Sequence, residues 1–353
     1  MMRETESTPN QQNIPDAGPL LLEIKNLKVH FFGEENRVVR AVDGIDLAIR
    51  KREIVGIVGE SGCGKSTLGY SIIRLLAQNA RIVDGSVILD GEDLLKKDER
   101  QMRKVRGRDV SMVFQDPLTS LNPVFKIKEQ IGRVIQIHEK LGKKEAYNRA
   151  RELLKLVELP DPDVVLASYP HQMSGGMQQR IMLAMALALK PKLMIADEPT
   201  TAVDATIQAQ ILRLLKKLNR EVGFSLILIT HNLGIVAEIC DRAVVMYAGR
   251  IVEIADADSI FKNPQHPYTK LLISTLPTLD PRIDRNAELP TIGGSVPDLS
   301  SPPPGCRFHP RCPHVMEVCQ VEDPFLNHGS DESHLTACFL YETSKESREG
   351  DKR

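Results

Sequence analysis

The stretch GESGCGKS, Gly59 to Ser66, puts glycines, a lysine and a hydroxyl in the spacing G-x-x-x-x-G-K-S. Glycines at those places let a backbone turn so that its N–H groups face one anion. Lys65 can reach the β- and γ-phosphates of a nucleotide, and Ser66 can put its hydroxyl on Mg²⁺. Ser61, Gly62, Cys63, Gly64 and Thr67 complete the lining, with Cys63 chosen for its small size. An acidic pair, Asp197 and Glu198, closes the apolar run KLMIADEP. Asp197 can hold Mg²⁺, and Glu198 can orient or deprotonate an attacking water. Standing alone, the glycine loop could be merely flexible and the acidic pair a solvated turn. Their occurrence in one chain favours phosphate chemistry. A third set of reactive groups is the cysteine cluster Cys306, Cys312, Cys319 and Cys338.

The flanking elements decide whether such residues can work. IVGIVG, 54–59, is a buried strand that runs into the glycine loop, and TLGYSIIRLL after it is a helix. A helix N-terminus adds partial positive charge to the anion site. KLMIAD, 192–197, and FSLILIT, 224–230, are continuous apolar runs of strand length, as expected of strands covered on both faces. LLEIKNLKVHFF and AVDGIDLAI form an antiparallel pair turned by GEEN, and SVILDGEDL adds a further strand and turn. AVVMYAGRIVEI, 243–254, is a closing hairpin. Residues 116–190 have helical periodicity, with HEKLGKKEAYNRARELLKLVEL expected as an amphipathic surface helix. KKDERQMRKVRGR, 96–108, mixes both signs and is expected as a solvated helix. Strands alternating with helices give an α/β fold with a mainly parallel sheet.

The chain has 353 residues with 46 Lys and Arg against 47 Asp and Glu, a net charge of −1. That balance argues against nucleic acid as a partner. The polar start MMRETESTPNQQ lacks a signal-peptide core, and no apolar run approaches the roughly 18 residues of a membrane span. The expected organisation is a disordered tail, 1–19; a main domain, 20–260, with a helical subdomain at about 116–190; and a proline-rich appended unit, 261–345.

From about Leu21 to Ile260 the chain resembles the ATPase subunits of ABC transporters, the P-loop NTPase class with a mixed sheet core, an antiparallel β-subdomain and a helical subdomain. The family's motifs occur in order. Phe31 (or Phe32) stands where an aromatic stacks on adenine. FQDP carries Gln115 at the Q-loop, which touches Mg²⁺ and faces the membrane subunits. SGGMQQR, Ser174 to Arg180, is similar to the signature motif, and Ser174, Gly175 and Gly176 open an apolar helix as a second anion site. TAVD places Asp204 at the D-loop, and ITHN places His231 as the γ-phosphate sensor. Met173 and Met177 replace the family's Leu and Gln. Met177 has no hydrogen bond to give a ribose, and SGGM-x-QR is typical of the peptide-importer branch. The resemblance implies that the signature of one subunit closes on ATP held by a second ATPase subunit, and that hydrolysis releases the pair.

QHPYTKLL, 265–272, and the cysteine stretch resemble the C-terminal extension of oligopeptide and dipeptide importer ATPases. That branch, which also holds nickel importers, implies two membrane permeases, an extracytoplasmic binding protein and a place on the cytoplasmic side of the membrane. A soluble ABC ATPase outside transport is the alternative, but it lacks here the usual second cassette or coiled-coil insert. The cysteine spacing C-x5-C-x6-C-x18-C lacks the tight pairs of structural zinc sites. Four such thiolates suit an iron–sulfur cluster, and the resemblance implies a 4Fe-4S cluster, with zinc or free thiols as alternatives. His309, His314 and His334 are expected as surface histidines rather than ligands.

Overall fold

The computed structural model of the chain describes residues 18–34, 37–115, 120–200, 204–275, 292–328 and 333–341. Residues 1–17 of the expected tail, Asp116 and Pro117 of FQDP, and 201–203 of TAVD lie outside them. Two sheets organise the rest. β1 (Leu20–Phe32) and β2 (Val38–Arg50) pair antiparallel, and β4 (Ala80–Leu89) flanks β1 on its other edge. With β5 (Glu92–Asp93) they make a four-stranded sheet in the order β2-β1-β4-β5. Leu22, Ile24, Leu27 and Val29 of β1 are buried while Glu23, Lys25 and Asn26 are not, as a strand with one covered face requires.

The second sheet carries the site. Its order is β11-β12-β10-β9-β3-β8-β7-β6. β3 (Ile54–Val58), β6 (Val110–Val113), β7 (Leu193–Asp197), β8 (Ser225–Ile229) and β9 (Arg242–Tyr247) run parallel. Every residue of β3, β7, β8 and β9 is buried. Near-continuous apolar strands are what a parallel sheet with both faces covered demands. β10 (Arg250–Asp256) folds back on β9 as the expected hairpin.

Two expectations are corrected. The amphipathic helix expected over HEKLGKKEAYNRARELLKLVEL forms as Lys143–Leu156 but starts later than expected, because His138 and Glu139 end a separate helix, Ile127–Glu139. Lys140 takes the left-handed conformation at φ 56°, and Gly142 caps the second helix, so the backbone turns between two faces that share one periodicity. The second correction concerns His334, expected on the surface. It is only 2% exposed and sits against Glu253.

The solvated charged segment forms the short helix Glu99–Val105, capped at Asp98 by a capping box with Gln101. After β10 come helices Ala257–Lys262 and Pro267–Ser274, then a loop-rich stretch. Its strands β11 (Asn327–His328) and β12 (Leu335–Thr336) return to the sheet, with Leu335 opposite Ile254 and Thr336 opposite Glu253. The appended residues are therefore continuous with the main sheet at its β10 edge. Among the described residues no helix is long and apolar enough to cross a membrane.

Candidate functional site

The loop after β3 is shaped by two glycines. Gly64 has φ 102°, and a Cβ there would stand 2.1 Å from the Ala41 carbonyl oxygen. At Gly59 a Cβ would stand 2.1 Å from the Met246 carbonyl oxygen. No side chain fits either position, so the loop is pressed directly onto its neighbours' backbones. At Gly62 a Cβ would meet nothing within 4 Å, so one side of the loop is open to a ligand. The helix Lys65–Ile72 starts at the loop's end and aims its free N–H groups at that opening.

Lys65 is 6% exposed, and its Nζ donates to the carbonyls of Gly59 at 2.8 Å and Glu60 at 2.9 Å. The ammonium is thus held over its own loop. Cys63 is fully buried with Sγ 3.7 Å from Lys65 Nζ, and burial pushes its thiol up, so it packs and does not react.

Parallel pairing sets the tips of β3, β7 and β8 side by side, and this brings the distant motifs together. Ser66 Oγ donates to Asp197 Oδ1 at 3.0 Å. Burial pushes the Asp197 carboxyl up, while hydrogen bonds from Ser66 and Tyr70 oppose the shift. A hydroxyl and a carboxylate so placed fit a hard cation, which would keep Asp197 ionised. Glu198 has φ 46°, a sparsely populated conformation for a non-glycine residue. Its carboxylate accepts from Gln115 Nε2 at 2.9 Å and lies 2.9 Å from His231 Nδ1. Ser66 is thus bonded to Asp197, Gln115 and His231 are bonded to Glu198, and Lys65 and Glu198 both act electrostatically on Asp197, which gathers all six at the strand tips.

The other expected residues make contacts of their own. Ser174 is the N-cap of the helix Gly175–Ala186, with a long 3.4 Å contact from the Met177 N–H. Asp204 caps the helix Ala205–Val222 by accepting from the N–H groups of Thr206 and Ile207, both at 3.0 Å. Phe31 is half-buried in β1 opposite Val39, whereas Phe32 is exposed with the Arg81 guanidinium 5.6 Å over its ring.

Tyr70 was not singled out from sequence. It lies four residues after Ser66 on the same helix face, bonds Asp197, and stacks on Phe114 with ring centroids 6.2 Å apart. Its spacing from Ser66 was the signal available. For Glu60, Tyr268 and Arg311 there was none. The Tyr268 hydroxyl accepts the Glu60 N–H at 2.9 Å, and Arg311 pairs with the Glu60 carboxylate across 251 residues of sequence.

Cys306, Cys312, Cys319 and Cys338 border one small cavity beside Phe308 and His266. Burial raises the Cys306 thiol to about 12 and the Cys338 thiol to about 11, and the neighbouring cysteines add to both shifts. Among the described residues no group of three or more His, Cys, Asp or Glu side chains is arranged to hold a metal ion. The four thiols share a cavity, but their arrangement gives no support to the expected iron–sulfur cluster or to a zinc ion.

Comparison with known proteins agrees with this geometry. Residues 42–201 match the ABC transporter family and residues 252–319 match the oligopeptide/dipeptide transporter C-terminal region. The chain is 50% identical over 329 residues to the probable peptide ABC transporter ATP-binding protein y4tR of Sinorhizobium fredii, covering 93% of this chain and 97% of that one. It is 49% identical to the oligopeptide transport ATP-binding protein AppD of Bacillus subtilis, covering 91% and 97%. The dimeric structure of MJ0796, a bacterial ABC transporter cassette, superposes with a TM-score of 0.59 at 31% identity, covering 67% of this chain and 99% of that one. The chain belongs to the ABC transporter family, among the ATP-binding proteins that carry the oligopeptide/dipeptide C-terminal region, and it is an ATPase.

Proposed function

We propose that this chain is the ATP-hydrolysing subunit of an importer that takes up dipeptides or oligopeptides, bound peripherally at the cytoplasmic side of the membrane. One observation carries the reading: Lys65, Ser66, Gln115, Asp197, Glu198 and His231 gather at the strand tips of a chain that also carries the oligopeptide/dipeptide transporter C-terminal region at 252–319. Its partners are two membrane permeases, an extracytoplasmic binding protein and a second ATPase subunit, identical or related.

In this reading Gly59, Ser61, Gly62, Cys63, Gly64, Lys65, Ser66 and Thr67 cradle the triphosphate. Ser66, Asp197 and Gln115 would hold Mg²⁺, which would neutralise phosphate charge. Glu198 orients the attacking water, and its bonds to Gln115 and His231 hold the carboxylate at the strand tip. His231 then contacts the γ-phosphate. An aromatic of β1, Phe31 or the more exposed Phe32, stacks on adenine. Ser174, Gly175, Gly176 and Asp204 serve the nucleotide of the partner subunit. ATP at that seam joins two subunits, and its hydrolysis parts them. The helix N-terminus behind Ser174 suits a phosphate.

The four cysteines would hold a 4Fe-4S cluster in this proposal. What supports this reading is the one small cavity that all four cysteines border. Ligation would displace the protons that burial keeps on Cys306 and Cys338.

The test of the motor role is Glu198→Gln in the purified full-length chain and in the assembled transporter. Expected is retained ATP binding with hydrolysis reduced about a hundredfold or more. Hydrolysis at the wild-type rate would take Glu198 out of its role. Uptake of labelled dipeptide by cells, lost in the same variant, tests the cargo. Iron and sulfide assays on anaerobically purified protein test the cluster.

A further inference from the structure

Glu60 is the second residue of the phosphate loop, and every polar group it owns is held. Its carbonyl accepts from Lys65 Nζ at 2.9 Å. Its N–H donates to the Tyr268 hydroxyl at 2.9 Å, and Tyr268 is fully buried. Its carboxylate is gripped at both oxygens by Arg311, at 2.7 Å and 3.0 Å. Two of these three holds come from the C-terminal extension.

Arg311 is built for one position. Its side chain is 5% exposed, against 26% for Glu60. Nη1 also donates to the Tyr247 hydroxyl at 3.2 Å, Nη2 to the Ile292 carbonyl at 3.3 Å, and Nε to the Gly293 carbonyl at 2.8 Å. All five guanidinium donors are therefore used. The guanidinium also lies 5.7 Å over the Tyr247 ring, which packs on Tyr268 and Phe308 at 4.7 Å and 5.1 Å. A surface ion pair would pivot. This one is fixed by two backbone carbonyls and an aromatic wall, so Glu60 cannot shift without breaking a bidentate, charge-assisted pair.

We infer that Arg311 is a positioning residue for nucleotide binding: by orienting and neutralising Glu60, it sets the loop that carries Lys65 and keeps an uncompensated carboxylate away from the triphosphate. The chain of contacts runs Arg311–Glu60–Lys65, and the last member reaches the phosphates. The extension is thus a working part of the ATP site in its own subunit. This rests on the assignment of residues 59–66 as the triphosphate site.

The experiment is titration of the full-length chain with a fluorescent ATP analogue carrying Mg²⁺. Arg311→Gln is expected to weaken binding about tenfold, the scale of one charge-assisted bidentate pair. Adding Glu60→Gln to it removes the stranded charge, so the double variant should bind no more weakly than Arg311→Gln alone. Arg311→Lys keeps the charge but not the fork, and should bind several-fold more weakly than wild type. Wild-type affinity in Arg311→Gln, or effects of the two Gln changes that multiply, would overturn the inference. If Arg311→Gln does not fold, wild-type affinity in Arg311→Lys overturns it instead. A wild-type chain that binds no analogue would remove the triphosphate assignment, and this inference with it.

Discussion

The phosphate loop and the C-terminal extension solve the same problem, holding a fixed geometry, by opposite means. The loop does it with backbone. A strand ends, glycines turn, a helix begins, and all the parts lie within Val58–Ser66. The extension has little regular structure between residues 292 and 328 and is held by side chains that reach far along the sequence. Arg307 pairs with Asp43 across 264 residues, Arg311 with Glu60 across 251, and His334 with Glu253 across 81. A backbone device needs particular residue types at fixed spacing, so it leaves a pattern. A side-chain device needs only that two charges meet, and any loop can deliver one. The two regions nevertheless meet at Glu60.

If the loop serves ligand geometry and the extension serves cohesion, substitutions should separate the two effects. The largest effect is expected for Gly64→Ala. Alanine at φ 102° is strained, and its Cβ would press on the Ala41 carbonyl. The backbone penalty alone is about 1–3 kcal/mol. Relief requires the loop to move off the phosphate position, so nucleotide affinity should fall about a hundredfold. Isothermal titration with MgATP measures this. An affinity within twofold of wild type would mean that the loop is not held to this shape by its neighbours.

The same contrast explains what the residue pattern disclosed. The apolar runs at 54–58, 193–197 and 225–229 announced the central parallel strands, because strands covered on both faces have no polar alternation to confuse them. The strand tips followed, and with them Lys65, Asp197, Glu198 and His231. Helix boundaries were less legible. Lys140 turns left-handed without being glycine, so the break showed only in Gly142, which a continuous amphipathic pattern can also tolerate. Tyr70 was half-visible through its four-residue spacing from Ser66. Arg311, Tyr268 and Glu253 were invisible, because nothing local tells a buried arginine from a surface one.

Glu253 offers the next sharpest separation. It is fully buried on β10, accepts from the N–H groups of Gln265 at 2.6 Å and His266 at 3.0 Å, and lies 2.6 Å from His334 Nε2. One carboxylate thus ties the helix Pro267–Ser274 and strand β12 to the sheet. Glu253→Gln keeps one acceptor and aims an amide N–H₂ at groups that are already donors. The loss should be about 2 kcal/mol of unfolding free energy, the cost of stranding buried polar groups. Urea unfolding would show it as a lower midpoint with an unchanged slope. A loss of MgATP affinity in Glu253→Gln as large as that in Gly64→Ala would erase the distinction between the two regions.

The smallest expected effect is a pH dependence that one histidine of the extension carries. His266 caps the helix Pro267–Ser274, with Nδ1 accepting the Tyr268 N–H at 3.0 Å. Burial pushes it down to about 4, with Lys270 helping and the Glu253 carboxylate opposing. In the unfolded chain it protonates below about 6.5. Between those values the unfolded state binds the extra proton, so this group removes stability as pH falls from about 6.5 toward 4 and removes no more below that. At pH 5.5 its share is roughly 1 kcal/mol relative to pH 7.5. His266→Asn keeps an acceptor for the Tyr268 N–H but cannot titrate, so urea midpoints at the two pH values should lie closer together than in wild type by that amount. An unchanged gap would mean that His266 is protonated in the native chain at pH 5.5. The cap would then be lost, because an imidazolium has no lone pair to accept the Tyr268 N–H, and the helix that presents Tyr268 to Glu60 would have to begin differently at that pH.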